Sequence, residues 1–141
     1  MIAIVAITKE GKRIAKIVTS SFSGKSKLYC SSKGRLKNLV NKIFDKDKFE
    51  GIVFIMALGI VVRLIAPYLK NKYLDPAVVA IDGAGRFAIS VVSGHEGGAN
   101  KLAIEIGNIL YAEPVITTGS EVKKKKNIGI GCRRNIKKAE I

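Results

Sequence analysis

A short glycine-rich stretch, Ser-Gly-His-Glu-Gly-Gly-Ala-Asn at residues 93–100, holds the side chains best suited to chemistry. It contains the one histidine of the chain, next to a glutamate, and a histidine can exchange protons near neutral pH. It follows an apolar run at residues 87–92 and precedes helical spacing at residues 101–111. A loop that feeds a helix presents backbone N–H groups and the positive end of a helix dipole, which favour anions. The stretch therefore predicts an anion-binding, proton-transferring loop.

A structural interpretation of the same stretch stays open, in which Ser93 or Asn100 merely caps the helix that follows a glycine-rich turn. The stretch is not a P-loop, because Lys-Ser or Lys-Thr does not follow at the required spacing. It is not a dinucleotide fingerprint either, because the acidic residue about twenty positions on is not at a strand end. The residue types alone do not choose between a cap and a site.

A second candidate lies at the start of the helix predicted to begin near residue 59. Gly59 allows a ligand to approach the backbone closely, and Arg63, one helical turn later, can pair with a carboxylate. The alternative is a surface arginine on an otherwise buried helix. An arginine in so apolar a run usually has a partner, which keeps a binding role open.

The charge of the chain points to an anionic partner. Lys and Arg number 25 against 11 Asp and Glu, which gives a net charge of +14. Such an excess attracts nucleic acid, an anionic membrane or a polycarboxylate substrate, and it is equally compatible with a lysine-rich solvated surface. Two cysteines and one histidine argue against a zinc site and suit free thiols in a reducing compartment.

Targeting features point to the cytoplasm. No charged leader precedes the first apolar run, so we expect no signal peptide. The longest apolar stretch, residues 51–62, falls short of the ~20 residues that a membrane span needs. We therefore expect a cytoplasmic protein that does not enter a membrane.

The chain alternates between strand and helix patterns, which predicts an α/β fold: a three-layer sandwich with a mainly parallel sheet and one hairpin. The hairpin is expected around Gly83-Ala84-Gly85, between two apolar runs. Strands are predicted at residues 1–8, 27–30, 51–56, 77–82, 86–92 and 114–118. Helices are predicted at residues 11–20, from Ser31 or Ser32 through Ile43, at residues 57–69 with Pro67 inside, and at residues 101–111. Since ligands of such sheets bind beyond the carboxyl ends of strands, both candidate loops are well placed.

We place the domain boundary after residue 121. Residues 1–121 form the α/β region, and residues 122–141 contain a basic linker followed by the truncated start of a further domain. A strand and half a helix cannot bury a core alone. We therefore expect this tail to be appended to the first domain, completed by another chain, or frayed.

Residues 57–121 resemble the N-terminal and central region of the cobalamin biosynthesis protein CbiG family. Four of its recurring elements appear in order: Gly-Ile-Val-Val-Arg at residues 59–63, Asp-Pro-Ala-Val-Val at 75–79, the loop at 93–100 and Pro-Val-Ile-Thr-Thr at 114–118. Residues 127–134 resemble the opening of the family's C-terminal domain, which would continue beyond residue 141.

The resemblance implies a cobalt-precorrin-5A hydrolase of the anaerobic cobalamin pathway. Such an enzyme opens the δ-lactone on the A ring, releases acetaldehyde and gives cobalt-precorrin-5B. The cobalt belongs to the substrate, so we expect no cofactor and no metal site in the protein. The expected partner is a polycarboxylate tetrapyrrole, which suits the charge of +14. A partner chain carrying the C-terminal domain and a homo-oligomer both stay open.

Lactone hydrolysis needs an activated water and stabilisation of an oxyanion. The catalytic candidates are His95 as base and Glu96 as its helper. The substrate-binding candidates are Gly59, Arg63, Ser93, Gly94, Gly97, Gly98 and Asn100. Among these, the N–H groups of Gly97 and Gly98 would hold the oxyanion or a carboxylate, and Arg63 would clamp a peripheral carboxylate.

Two other functions stay open. One is a non-catalytic corrinoid- or anion-binding fragment that needs a C-terminal partner. The other is a basic nucleic-acid-binding module, which is disfavoured because four tyrosines, five phenylalanines and no tryptophan offer few stacking surfaces and no nucleic-acid motif is present.

Overall fold

A single sheet of six strands forms the centre of the molecule. The computed structural model describes residues 1–45 and 49–119. The strands are β1 Ile2–Ala6, β2 Ser26–Cys30, β3 Gly51–Ile55, β4 Ala77–Ile81, β5 Phe87–Val92 and β6 Glu113–Val115. Every residue of β1, β3 and β4 is buried, because these continuous apolar runs lie in the middle of the sheet with helices on both faces.

Four α-helices cover the two faces of the sheet. They are α1 Lys9–Ser21, α2 Leu36–Asp45, α3 Leu58–Ile65 and α4 Ala99–Leu110, with short 3-10 turns at Lys33–Arg35 and Ala66–Tyr68. Apolar side chains of α1 and α4 pack against one face, and those of α2 and α3 against the other. The predicted three-layer α/β sandwich is therefore confirmed.

The strand order is β2-β1-β3-β4-β5-β6. Strands β1 to β4 are parallel, β5 is antiparallel to β4, and β6 is parallel to β5. This confirms the mainly parallel sheet and the hairpin. We call the edge where β1, β3 and β4 end the carboxyl edge, and the edge where they begin the amino edge. Because β5 runs in the opposite direction, it ends at the amino edge.

The helix boundaries differ from the predicted ones for local reasons. Helix α1 begins at Lys9, because the Thr8 side chain accepts a hydrogen bond from the Gly11 N–H at 2.9 Å. The predicted helix began at residue 11, so α1 starts two residues earlier than expected. Helix α3 ends at Ile65, and Pro67 lies in the 3-10 turn that follows, since proline has no N–H for an α-helical bond.

Strand β6 ends at Val115 rather than at the predicted residue 118. The predicted boundary at residue 121 and the basic tail at 122–141 lie outside the described residues. Within residues 1–45 and 49–119, no helix combines the length and apolar character required to cross a bilayer.

Asp82 fixes the hairpin between β4 and β5. One carboxylate oxygen accepts the backbone N–H groups of Arg86 and Phe87, both at 2.8 Å, and the other accepts the Arg86 Nε at 3.0 Å. Partial burial by itself raises the pKa of Asp82, but the hydrogen bonds and charge from Phe87 and Arg86 outweigh it, so the pKa is lowered. The folded state therefore favours the ionised carboxylate.

Replacing Asp82 with alanine should lower the free energy of unfolding at neutral pH by about 1–3 kcal/mol, because two backbone donors lose a charged acceptor. A lowered pKa stabilises the fold above the unfolded value of about 4, and this contribution disappears as pH falls through the folded pKa. Urea unfolding should therefore show a gap between the free energies of unfolding of wild type and variant at neutral pH, and this gap should narrow in acid. Asp82→Asn, which cannot ionise, should show less acid sensitivity than wild type. A gap that is equal at both pH values would contradict this role.

Candidate functional site

The glycine-rich loop of residues 93–98 lies at the amino edge, between β5 and α4, and borders a cavity of about 410 Å³. Three segments line this cavity: Lys72 from the connection before β4, residues 90–96, and residues 117–118 after β6. We call it the histidine pocket, because His95 is one of its walls.

The backbone of the loop folds back on itself. Ser93 is buried and adopts a positive φ of 58°, and its hydroxyl donates to the Asp75 carbonyl at 3.1 Å. Its carbonyl accepts the N–H groups of Gly97 and Ala99, both at 3.1 Å, and the Gly94 carbonyl accepts the Asn100 N–H at 3.0 Å. The loop therefore caps α4 with its own carbonyl groups and holds a fixed shape.

Asn100 ties the loop to its surroundings. Asn100 is only 3% exposed, and its Oδ1 accepts a hydrogen bond from the Ser90 hydroxyl at 2.8 Å. Its Nδ2 donates to the Thr118 hydroxyl at 2.9 Å. This one amide thus connects β5, the first turn of α4 and the segment after β6. The predicted substrate-binding residues Ser93 and Asn100 both use their side-chain polar groups to hold the loop.

Two positions of the loop have room only for glycine. A methyl group on Gly94 would lie 2.7 Å from the Asn100 Oδ1, and one on Gly97 would lie 2.5 Å from the Ser93 Cβ. A methyl group on Gly98 would meet no atom within 4 Å. Gly98 has a φ of +86°, however, which residues with a side chain rarely adopt. The glycine density thus reflects a tight, specific loop.

His95 and Glu96 are the exposed titratable residues of the loop. The Glu96 carboxylate lies 3.9 Å from the Lys72 ammonium, and both side chains remain partly open to solvent. An exposed pair of this kind contributes little to stability, about 0–1 kcal/mol. The pocket therefore combines an imidazole, a carboxylate and an ammonium group, all within reach of a ligand.

The two glycines predicted to bind an oxyanion or a carboxylate lie away from the histidine pocket. The Gly97 N–H donates to the Ser93 carbonyl at 3.1 Å. Gly97 and Gly98 face a separate groove of about 240 Å³, which Lys101 also lines, and neither lines the histidine pocket. The N–H groups of Gly97, Ala99 and Asn100 bind carbonyl groups of the loop itself.

The structure also separates Gly59 and Arg63 from the loop. Both belong to α3, which follows the carboxyl end of β3, whereas the loop follows β5 at the amino edge. A five-residue strand at about 3.3 Å per residue puts roughly 13–16 Å between the two edges. Arg63 lines a different cleft. Gly59 and Arg63 therefore lie at the opposite edge of the sheet from the loop, because the hairpin reverses the direction of β5.

Sequence reasoning missed the residues that neighbour the loop, namely Lys72, Ser90, Thr117 and Thr118. A signal for them was present in the predicted hairpin. A strand that runs antiparallel to its neighbour ends beside the connection that precedes that neighbour, which here is the segment of Lys72.

Comparison with known proteins gives a consistent family assignment. Residues 38–121 match the model of the family described as Cobalamin synthesis G N-terminal. The chain is 44% identical to a cobalt-precorrin-5A hydrolase of Priestia megaterium, over 86% of this chain and 36% of that protein. It is 34% identical to a probable cobalt-precorrin-5A hydrolase of Methanocaldococcus jannaschii, over 91% of this chain and 38% of that protein.

A solved structure shares the fold as well. A cobalamin biosynthesis protein G homologue from Sulfolobus solfataricus superposes with a TM-score of 0.65 at 30% sequence identity, over 82% of this chain and 36% of that one. The chain therefore spans a little more than a third of the length of these proteins. The matched family region contains α3, the hairpin, the glycine-rich loop and α4. The chain belongs to the Cobalamin synthesis G N-terminal family.

Proposed function

We propose that this chain takes part in cobalamin biosynthesis as cobalt-precorrin-5A hydrolase, and that the histidine pocket receives the δ-lactone of the substrate. The observation that carries the proposal is the histidine of the chain, held by a rigid loop at a cavity that also offers a carboxylate and an ammonium group. The hydrolase names of the relatives support the choice of substrate. The products would be cobalt-precorrin-5B and acetaldehyde.

In the first step, His95 takes a proton from water as the water oxygen adds to the lactone carbonyl. Thr118 is suited to donate to the resulting oxyanion, since its oxygen accepts from Asn100 and leaves the hydroxyl hydrogen for another partner. The C–O bond of the lactone then breaks, and the departing oxygen takes the proton from the imidazolium. The step yields a carboxylate and a free hydroxyl group on the substrate.

In the second step, the new hydroxyl group loses its proton to a base, and the adjacent carbon–carbon bond breaks as in a reverse aldol reaction. The electron pair of that bond stays on the macrocycle and is then protonated, while acetaldehyde leaves. Glu96 lies next to His95 and is placed to share these proton transfers. Lys72 would attract peripheral carboxylates of the substrate to the mouth of the pocket.

A second candidate function is corrinoid binding without catalysis. The observation that favours it is the net charge of +14, which attracts a polycarboxylate whether or not the pocket is catalytic. In that case the histidine pocket holds the substrate while groups from another polypeptide complete the reaction. In both candidate functions the lactone lies at the same pocket. They differ in whether this chain or another polypeptide supplies the remaining catalytic groups.

The two candidates separate in an assay of acetaldehyde released from cobalt-precorrin-5A. The chain alone should release acetaldehyde if its own residues suffice. Release only after addition of a polypeptide that supplies the remaining region of a relative would establish the binding role. No release in either arm, with the macrocycle confirmed intact, would contradict the proposed reaction.

A further inference from the structure

We infer that a second anion-binding site lies at the carboxyl edge of the sheet, remote from the histidine pocket, and takes a small polycarboxylate with an apolar body. The site is the cleft between the 3-10 turn Lys33–Arg35, the start of α2, and helix α3. Three cations line it: Lys33, Lys37 and Arg63. The inference concerns this cleft alone and stands whether or not the histidine pocket is catalytic.

The cleft combines an apolar floor with a cationic rim. Its volume is about 480 Å³, and its floor is formed by the buried Leu36 with the half-buried Ile60 and Leu64. Lys33 and Lys37 are four residues apart on one wall, and Arg63 lies on the other. A ligand with a hydrocarbon body and carboxylates around it would match both surfaces.

Within the described residues, none of the three cations pairs with a carboxylate, and each is exposed. In the same part of the chain, a basic recess on the exposed face of α1 also has lysines without a carboxylate partner, but charged residues alone line it, so it offers no apolar floor for a hydrocarbon body. Uncompensated positive charge around a cavity raises the local concentration of anions.

Arg63 is held towards the start of α3. A methyl group on Gly59 would lie 3.6 Å from the Arg63 Nη1, so the guanidinium lies along the first turn of the helix. The Ala57 cap provides no side-chain hydrogen bond to that turn. The guanidinium therefore lies near the positive end of the helix dipole, and both attract an anion at the start of α3. A carboxylate there can bind the guanidinium in a bidentate manner.

A polycarboxylate fits this cleft better than a nucleic acid does. Proteins that bind single strands combine a basic groove with aromatic side chains on which bases stack. The cleft has aliphatic walls and is lined by no aromatic residue within the described part of the chain. Its three cations are clustered around one cavity and do not follow a backbone-like track.

The test is an isothermal titration of the full chain with benzene-1,3,5-tricarboxylate, a small anion with three carboxylates around an apolar ring. The triple variant Lys33→Gln, Lys37→Gln, Arg63→Gln should bind at least about tenfold more weakly, because charged hydrogen bonds of about 1.5–3 kcal/mol are lost. The matched triple variant Lys9→Gln, Lys12→Gln, Lys16→Gln removes the same charge from α1 and should stay within about twofold of wild type.

Two further variants separate this site from the histidine pocket and from folding effects. A Cβ added at Gly34 would meet no atom within 4 Å, so the backbone has room for Gly34→Glu, which should bring a carboxylate to the cleft and weaken binding. His95→Gln should leave the affinity of the cleft unchanged. Equal losses in the two triple variants would overturn the inference in favour of net charge. Equal binding of a single-stranded oligonucleotide with the same dependence on the three cations would overturn it in favour of nucleic acid.

Discussion

Replacing His95 with glutamine is expected to lower the rate of acetaldehyde release from cobalt-precorrin-5A by about 10²–10⁴-fold. This is the range that a positioned general base contributes, and glutamine cannot take a proton from water. The fold should be unaffected, because the residue is exposed on a loop whose shape depends on Ser93 and Asn100. The measurement is the initial rate of acetaldehyde formation with saturating substrate.

Glu96→Gln is the comparison for the His95 variant. It removes the neighbouring carboxylate and its ion pair with Lys72. It should lower the rate less than His95→Gln does, because in the proposed mechanism Glu96 only shares in the proton transfers of the second step. Substrate affinity in the His95→Gln variant should stay near that of wild type. A rate within about twofold of wild type would remove His95 from the mechanism.

Replacing Asn100 with alanine is expected to lower the free energy of unfolding by about 1–3 kcal/mol for each buried group left without a partner. The Ser90 hydroxyl loses its acceptor and the Thr118 hydroxyl loses its donor, both in or near the buried base of the loop. Urea unfolding measures the loss. Acetaldehyde release should fall as well, because the loop no longer holds His95 in one position.

Asn108→Ala provides the matched control for Asn100, because it is an exposed asparagine on the same helix α4. It should change the free energy of unfolding by no more than about 0.5 kcal/mol. The double variant Asn100→Ala, Ser90→Ala should lose less free energy of unfolding than the sum of the losses in the two single variants, because both substitutions remove the same hydrogen bond. If Asn100→Ala costs no more than Asn108→Ala, the amide does not hold the loop.

The layers of this fold could be predicted from the sequence because their signals are local. The apolar runs of β1, β3 and β4 are long enough to mark strands buried on both faces, and the small residues at 83–85 mark the hairpin. The boundaries were less accurate where a side chain decides them. The Thr8 cap fixes the start of α1 at Lys9, two residues before the predicted start at residue 11.

The site was less predictable because it depends on the direction in which each strand runs. Both candidate loops follow strands, and that rule alone does not say at which edge of the sheet each loop lies. Since β5 reverses direction, the loop at residues 93–98 lies opposite Arg63 and beside Lys72. The hydrogen bonds that Asn100 makes to Ser90 and Thr118 join segments 10 and 18 residues away along the chain. No local sequence pattern predicts them.

The central claim is that the lactone substrate lies against His95, and one NMR measurement tests it directly. The chain has a single histidine, so the imidazole Cε1–H gives one proton resonance that reports on the pocket. On stoichiometric addition of cobalt-precorrin-5A, this resonance should shift or broaden in parallel with the change in macrocycle absorbance that follows binding. An unchanged imidazole resonance while the absorbance shows the macrocycle bound would contradict the claim and place the substrate elsewhere on the protein.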